Sequence, residues 1–369
     1  MNAPDRDPAS LPVDLHEQLV DSLDVEILAE RPKIRPMRSS YWKVLVKAHN
    51  TAAQEMFVKQ YPEGDNDAAD DAAIELESHA VVPADYPTPA LRAHGASGPW
   101  MAFDWVAGTD ARTALHGALT HGLDIADVAN RVLTVAARAC RKAEPEHSHL
   151  PNHLRGLRGA LGETWQAIRD EEVLHPHIPQ HIHERLNEYI DAEERVMALL
   201  NEDYLMHDGL LIEEILLADS GPDQDVMTDL QLSIGPPWNN LVLLTDEFIE
   251  LISDPQIPVS DRPTLMHAWS GALDASLRQI GLEPGDFDDF IIASAGNELI
   301  HEYSHMAGLR AYVPHLGYPT TLDNNHAEDI LNWISQRQTD RANSTPVIAR
   351  ASQMGSSPTR GEVSHRRAR

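Results

Sequence analysis

The stretch Tyr204–Val242, YLMHDGLLIEEILLADSGPDQDVMTDLQLSIGPPWNNLV, decides how this chain is read. It opens as the end of a helix, turns through a loop at His207-Asp208-Gly209, and continues as a short strand at Ile215-Leu216-Leu217. An acidic turn, a second short strand and a loop at Gly235-Pro236-Pro237 follow. A small β insert of this kind stands out because helical periods dominate on both sides of it.

Upstream, Tyr41–Ala48 (YWKVLVKA) and Glu55–Tyr61 (EMFVKQY) read as two strands joined by a turn, a β-hairpin. A helix is predicted over Ala68–Val81, another strand over Pro99–Val106, and a short helix over LHEQLVDSL near the start. Past Gly108 helical periods cover Ile125–Lys142, Leu154–Glu172 and His183–Asn201, and beyond the β insert Arg262–Ile280, Asp286–Tyr312 and Asn325–Arg341. The order is a β-rich first third followed by a helix-rich remainder.

Composition narrows the function classes. The 369 residues are enough for two lobes, and 42% hydrophobic content supports a sizeable core. With 58 acidic against 29 basic side chains the formal charge is −29, which would repel a nucleic-acid backbone. Such charge suits a cationic substrate or simply a solvated surface. The single cysteine, Cys140, leaves no intrachain disulfide and no cysteine zinc site. No apolar run approaches membrane-span length and the first residues lack a signal-peptide pattern, so a soluble, cytoplasmic chain without a membrane partner is expected.

Lysine is scarce, with only Lys33, Lys43, Lys47, Lys59 and Lys142. Lys59 lies in an apolar strand, where a buried ammonium needs an anionic partner. Glu75 on the following helix is the candidate; Glu77 would point about 200° away around the same helix. The plainer alternative for Lys59 is a sheet edge with its head in water.

The ordered motifs resemble the aminoglycoside phosphotransferase and choline kinase-like family, whose catalytic loop reads His-Gly-Asp-x-His-x-x-Asn before an Ile-Asp-Trp-Glu segment and Gly-Asp-Pro. Here His207-Asp208-Gly209 stands for the first of these and Glu214 falls at the Asn position. Thr228-Asp229-Leu230-Gln231 matches the second and Gly235-Pro236-Pro237 the third, while FDWVAGT (Phe103–Thr109) is similar to the family's hinge. The resemblance spans about residues 30 to 245. It implies an α+β, two-lobed protein-kinase-like fold, with a small antiparallel sheet and one helix in the first lobe and a mainly helical second lobe. The boundaries expected are 1–19 for a flexible lead, 20–106 for the N-lobe, 107–342 for the C-lobe and 343–369 for a disordered basic tail.

What the resemblance implies chemically is ATP- and Mg2+-dependent phosphorylation of a small-molecule hydroxyl. Lys59, oriented by Glu75, would hold the nucleotide phosphates, with Arg38 contributing where no glycine-rich loop is found. Asp229 and Glu214 would bind magnesium, since carboxylate oxygens suit that ion, and Asp208 would orient the acceptor hydroxyl. His207 is expected to brace the loop. Asp286, Asp288, Asp289 and Glu302, if they line the lower cleft, would favour a cationic acceptor such as an amino sugar or amino alcohol.

Two departures keep other readings open. Gly209 occupies the catalytic-base position with Asp208 one residue early, and Glu214 replaces an amide, so a non-catalytic, pseudokinase-like protein with a protein partner fits the same residues. Independently, His301-Glu302-Tyr303-Ser304-His305 is an HExxH pattern: on a helix His301 and His305 would share one face and suit Zn2+, with Glu302 as base and Glu328 or His326 as third ligand of a metallopeptidase. The plain alternative is coincidence among 20 histidines. The groups His147, His149, His153 and His175, His177, His181, His183 surround prolines and read as surface loops.

Overall fold

A computed structural model describes residues 11–33, 39–48, 51–62, 64–95, 100–121, 124–154, 180–200, 202–306 and 324–344. The first lobe is built on a five-stranded antiparallel sheet in the order β1-β2-β3-β5-β4. Its strands are β1 (Val25–Lys33), β2 (Ser40–Ala48), β3 (Gln54–Gln60), β4 (Leu91–His94) and β5 (Trp100–Asp104). The expected hairpin is β2–β3, with Tyr41 opposite Lys59 and Lys43 opposite Phe57.

Alternation along these strands sends successive side chains to opposite faces. Val44, Val46, Met56, Val58, Trp100 and Ala102 bury one face against Leu11, Leu15 and Leu19. The last two come from the helix α1 (Val13–Leu23), which Trp100 Nε1 also ties down by donating to Gln18 Oε1 at 2.7 Å. Residues 13–19, expected in a flexible lead, are therefore part of the N-lobe core: their leucines at four-residue spacing make one apolar stripe. The opposite face carries Tyr61, Met101 and Phe103 against Ala68 and Ala72 of α2 (Asn66–Val81). Asp65 starts α2 by accepting from the amides of Asp67 and Ala68. This lobe thus has two helices, one on each face, rather than one.

The second lobe is mainly helical, as expected. Its longer helices among the described residues are α3 (Ala111–His121), α4 (Ile125–Ala139), α5 (Leu186–Leu199), α6 (Asn239–Ser253), α7 (Arg262–Gln279), α8 (Pro284–Met306) and α9 (Asn324–Ser344). Helix α4 buries Ala129, Val132, Leu133, Val135, Ala136, Ala137 and Ala139 on one broad apolar face against the core of the lobe, with Asp127, Asn130, Arg131, Thr134 and Arg138 on the other. Two three-stranded antiparallel sheets crown this bundle. One is β10-β9-β6 and the other β11-β8-β7, from β6 (Gly108–Asp110), β7 (Arg141–Lys142), β8 (Tyr204–His207), β9 (Ile215–Ala218), β10 (Val226–Met227) and β11 (Leu232–Gly235).

Tyr204–His207 is therefore a strand, not a helix end. It pairs with β11 in register from Leu232 opposite His207 to Gly235 opposite Tyr204. Helices α3 and α6 and strand β1 are further elements that the periodicity reading passed over. The predicted helix Leu154–Glu172 lies outside the described residues beyond Leu154.

The lobes are tied where β11 meets α2: Ser78 Oγ accepts from the Leu232 amide at 2.8 Å. Among the described residues no helix is long and apolar enough to cross a membrane. At the lobe junction Gly108 packs its backbone against β9; a Cβ there would lie 2.4 Å from the Leu217 carbonyl oxygen and 2.9 Å from its carbon. Backbone cannot rotate away as a side chain can, so Gly108→Ala is expected to destabilise the protein by about 1–3 kcal/mol. The check is urea unfolding, and an unchanged midpoint would contradict this packing.

Candidate functional site

Lys59 and Glu75 meet because each lies on the inward side of its own element. Lys59 shares a strand face with Phe57 and Tyr61, and Glu75 continues the buried stripe of α2 after Ala68 and Ala72. Strand β3 is central in the sheet, so the edge alternative for Lys59 does not apply. Lys59 Nζ donates to Glu75 Oε2 at 2.7 Å and to Asp229 Oδ1 at 2.9 Å. Lys59 is 5% and Glu75 2% exposed. Glu77 faces outward, 3.4 Å from His149 Nε2. Tyr61 donates its hydroxyl to Glu75 Oε2, and its ring lies 4.5 Å from the Lys59 ammonium.

Burial works against the charge on Lys59, but the carboxylates of Glu75 and Asp229 outweigh it, and its pKa is raised well above the ordinary lysine value. The ammonium stays charged throughout the physiological range. The same burial, with Lys59 nearby, lowers His79 to about 4, so that ring is neutral beneath the sheet.

Asp229 comes from the loop after β10 and has φ 54, a left-handed conformation uncommon for an aspartate. Neighbouring hydrogen bonds hold it there. Both the Thr228 amide (2.8 Å) and the Thr228 hydroxyl (3.0 Å) donate to the Glu214 carbonyl. The Asp208 amide donates to the Gln231 carbonyl at 2.7 Å. His207 braces the two loops: it is buried, its Nε2 lies 3.1 Å from the Thr228 carbonyl, and its Nδ1 lies 3.2 Å from the Asp208 carbonyl. Burial lowers its pKa.

Asp229 and Thr228 also line a pocket of about 450 Å³ between the lobes. Tyr41 and Phe57, stacked with ring centroids 5.4 Å apart, close it from the N-lobe, and Leu216 lies on the C-lobe side. Asp104–Asp110, the segment joining the lobes, forms the remaining wall. A slot walled by two stacked rings, with the Asp229 carboxylate on its lining and the Lys59 ammonium 2.9 Å from that carboxylate, fits a nucleotide, and Asp229 supplies hard oxygen of the kind magnesium takes.

Glu214 is differently placed from its expected role. Its Oε2 accepts from the Leu211 amide at 3.0 Å, folding the carboxyl back over its own turn. Burial, partly offset by that hydrogen bond and reinforced by Asp229, pushes its pKa up to about 8. A magnesium ion would have to displace this proton before using Glu214.

Asp208 is half-exposed, and its Oδ2 lies 3.0 Å from His153 Nε2. The sequence reading placed His153 in a proline-flanked surface loop and gave it no part in the site: a histidine two residues after a proline carries no local signal of a partner 55 residues away. Arg38 lies outside the described residues. His301, Glu302 and His305 fall in α8 and Glu328 in α9, but their side chains also lie outside the described ones. Among the described residues no group of three or more His, Cys, Asp or Glu side chains is arranged to hold a metal.

Two of the four acidic residues expected in the lower cleft are engaged by arginines, and the Glu302 side chain lies outside the described ones. Asp288 is fully buried against Arg337 and Arg341, and Asp289 pairs with Arg195. The charge of these two is answered by arginines of the second lobe.

No protein-family model and no curated protein matches the chain. Among solved structures it is similar to a macrolide 2'-phosphotransferase from Brachybacterium faecium, at 15% identity over 88% of this chain and 98% of that one, with a TM-score of 0.41. It is also similar to a choline kinase from Cryptosporidium parvum, at 11% identity over 89% and 91% of the two chains, TM-score 0.39. An ethanolamine kinase from Plasmodium vivax gives 12% identity over 90% and 84%, TM-score 0.37. At this similarity the chemistry must be carried by the site's own side chains.

Two measurements test the site as built. Lys59→Met leaves Glu75 buried without its cation and is expected to cost about 3–5 kcal/mol, whereas Lys59→Met with Glu75→Leu should cost clearly less than the sum of the single changes. An additive pair would show that the two do not interact. For Glu214 the folded pKa of about 8 exceeds the ordinary carboxyl value of 4.5. The folded state therefore binds more protons between those values, and this group's contribution to stability falls as pH rises through that window. In metal-free buffer Glu214→Gln should remove that component. The variant should gain stability relative to the parent at pH 8 compared with pH 5, read by denaturant unfolding at both.

Proposed function

We propose that the protein is a magnesium- and ATP-dependent phosphotransferase acting on a small-molecule hydroxyl. The observation that carries this reading is the grip of one buried ammonium on two carboxylates from different lobes, Lys59 on Glu75 and on Asp229, the second of which lines an interlobe pocket. Phosphoryl transfer asks little covalent chemistry of a protein and much positioning and charge neutralisation. Lys59 supplies a permanent positive charge for nucleotide phosphates, Glu75 fixes its direction, and Tyr61 fixes Glu75. Asp229 would hold magnesium, whose contribution when bound is to neutralise charge on the phosphates. Tyr41, Phe57 and Leu216 would enclose the base and exclude water from it.

A second reading, nucleotide binding without turnover, is favoured by one observation: the carboxyl of Glu214 is folded onto the Leu211 amide, where burial raises its pKa. The acceptor's identity is left to a screen of alcohols, amino alcohols and sugars.

The test combines binding and turnover on the full chain. Magnesium-ATP is expected to raise the thermal midpoint, and Lys59→Ala to abolish that rise at equal nucleotide concentration. ADP formation across the acceptor panel should fall at least 100-fold in Asp229→Asn. Absence of any nucleotide-dependent shift in the parent protein overturns the reading, and a shift without ADP formation selects the second one.

A further inference from the structure

Asp208 does not stand alone. The segment Pro151–Leu154 runs beside β11, held by the Ile234 amide donating to the Pro151 carbonyl at 2.7 Å and by a parallel bridge between Asn152 and Ile234. Leu154 is buried and its amide donates to Asn152 Oδ1 at 3.1 Å, so His153 is fixed between an anchored residue on each side. β11 in turn pairs with β8, whose last residue, His207, precedes Asp208. Two segments far apart in sequence thus bring an imidazole and a carboxylate together at 3.0 Å on adjoining backbone.

Both side chains remain open to solvent, at 41% for His153 and 45% for Asp208. With Nε2 donating to Asp208, the neutral ring presents Nδ1 as the acceptor, which no hydrogen bond among the described residues occupies. A carboxylate that fixes the tautomer of an imidazole, leaving the other nitrogen outward, is the arrangement of a general base. A plain surface ion pair would need neither the anchored backbone on both sides nor a place one hydrogen bond from the Asp229 loop, where the Asp208 amide meets Gln231.

We infer that His153, oriented by Asp208, is the general base of the transfer reaction, and that Asp208 acts through it. This rests on the phosphotransferase reading above. In the step, the acceptor hydroxyl oxygen forms a bond to the γ-phosphorus of ATP while the bond from that phosphorus to the β–γ bridging oxygen breaks. The bridging electron pair leaves with ADP, and the hydroxyl proton passes to His153 Nδ1. The hydrogen bond and charge of Asp208 raise the His153 pKa against the opposing effect of partial burial, which makes Nδ1 a stronger proton acceptor. Among the described residues Asp208 is the one charged group acting on that ring.

The experiment has two arms on the full chain. Imidazole 15N NMR, without nucleotide, should find His153 as the Nε2-protonated tautomer with a pKa above that of free histidine, lowered in Asp208→Asn. In the second arm, His153→Ala and His153→Gln should retain the magnesium-ATP thermal shift and lower kcat about 100-fold or more, the usual contribution of a positioned base. KM for ATP should be unchanged. The parent kcat should rise with pH through the His153 pKa, and both variants should lose that limb. An Nδ1-protonated ring, a pKa at or below the free value, or variants with parental kcat and pH profile overturn the inference while leaving the nucleotide site standing. A parent protein that binds nucleotide without turnover overturns it too. Absence of nucleotide binding overturns the phosphotransferase reading itself and the inference with it.

Discussion

The burial of one ammonium sets the terms for the rest of this molecule. Lys59 cannot sit at 5% exposure in the middle of a sheet without anionic partners, and it finds them 16 residues away on α2 and 170 residues away in the loop after β10. The first partner fixes how α2 is rotated against the sheet. The second fixes how the helical lobe sits against the N-lobe. Because a buried ion pair returns little net stability over an apolar replacement, its value here is one of orientation: the cleft is closed to the width at which Asp229 reaches Lys59. The tie from Ser78 to Leu232 and the ring of His147, 3.1 Å from the Val81 carbonyl, hold the same junction without charge.

How much of this could be read from residues alone depends on whether the signal is local. The partner of Lys59 was legible, because Ala68, Ala72 and Glu75 lie on one side of α2 and Glu77 does not. The β2–β3 hairpin was legible from alternation. Strand β1 was not: in VEILAERPK charged residues fall on both parities, so no apolar face shows. Tyr204–His207 comes four residues after the helix α5, and its apolar residues extend the helical pattern; only pairing with β11 makes it a strand. Asp288 and Asp289 show the limit for charge. A carboxylate in a sequence has no visible partner, and Arg337 answers Asp288 from 49 residues downstream.

The catalytic loop shows the same limit in a different form. Gly209 has φ 66, with no atom within 4 Å of where its Cβ would be, so the constraint there is conformational rather than steric. An aspartate at that position would have to adopt the left-handed region, and the chain instead places its carboxylate one residue earlier, on the side facing His153. Read as a string, Asp208-Gly209 looks like a displaced motif. In three dimensions the displacement is matched by a second residue, and the functional unit is a pair rather than a single carboxylate.

Glu214 completes this picture through its backbone. Holding Asp229 at φ 54 costs on the order of 1–3 kcal/mol. Four hydrogen bonds brace the segment around it: the two from Thr228 to the Glu214 carbonyl, the Asp208 amide to Gln231, and His207 against the Thr228 carbonyl. At about 0.5–1.5 kcal/mol each they are sufficient to offset that strain, and two of the four end on one carbonyl oxygen. The position of Glu214 therefore matters to Asp229 whatever its side chain does, since any residue offers that carbonyl. The carboxyl, free of this duty, has turned to cap the Leu211 amide. What a motif comparison scores as a change of metal ligand is, physically, a loop whose main-chain support is intact and whose side chain has taken a local partner.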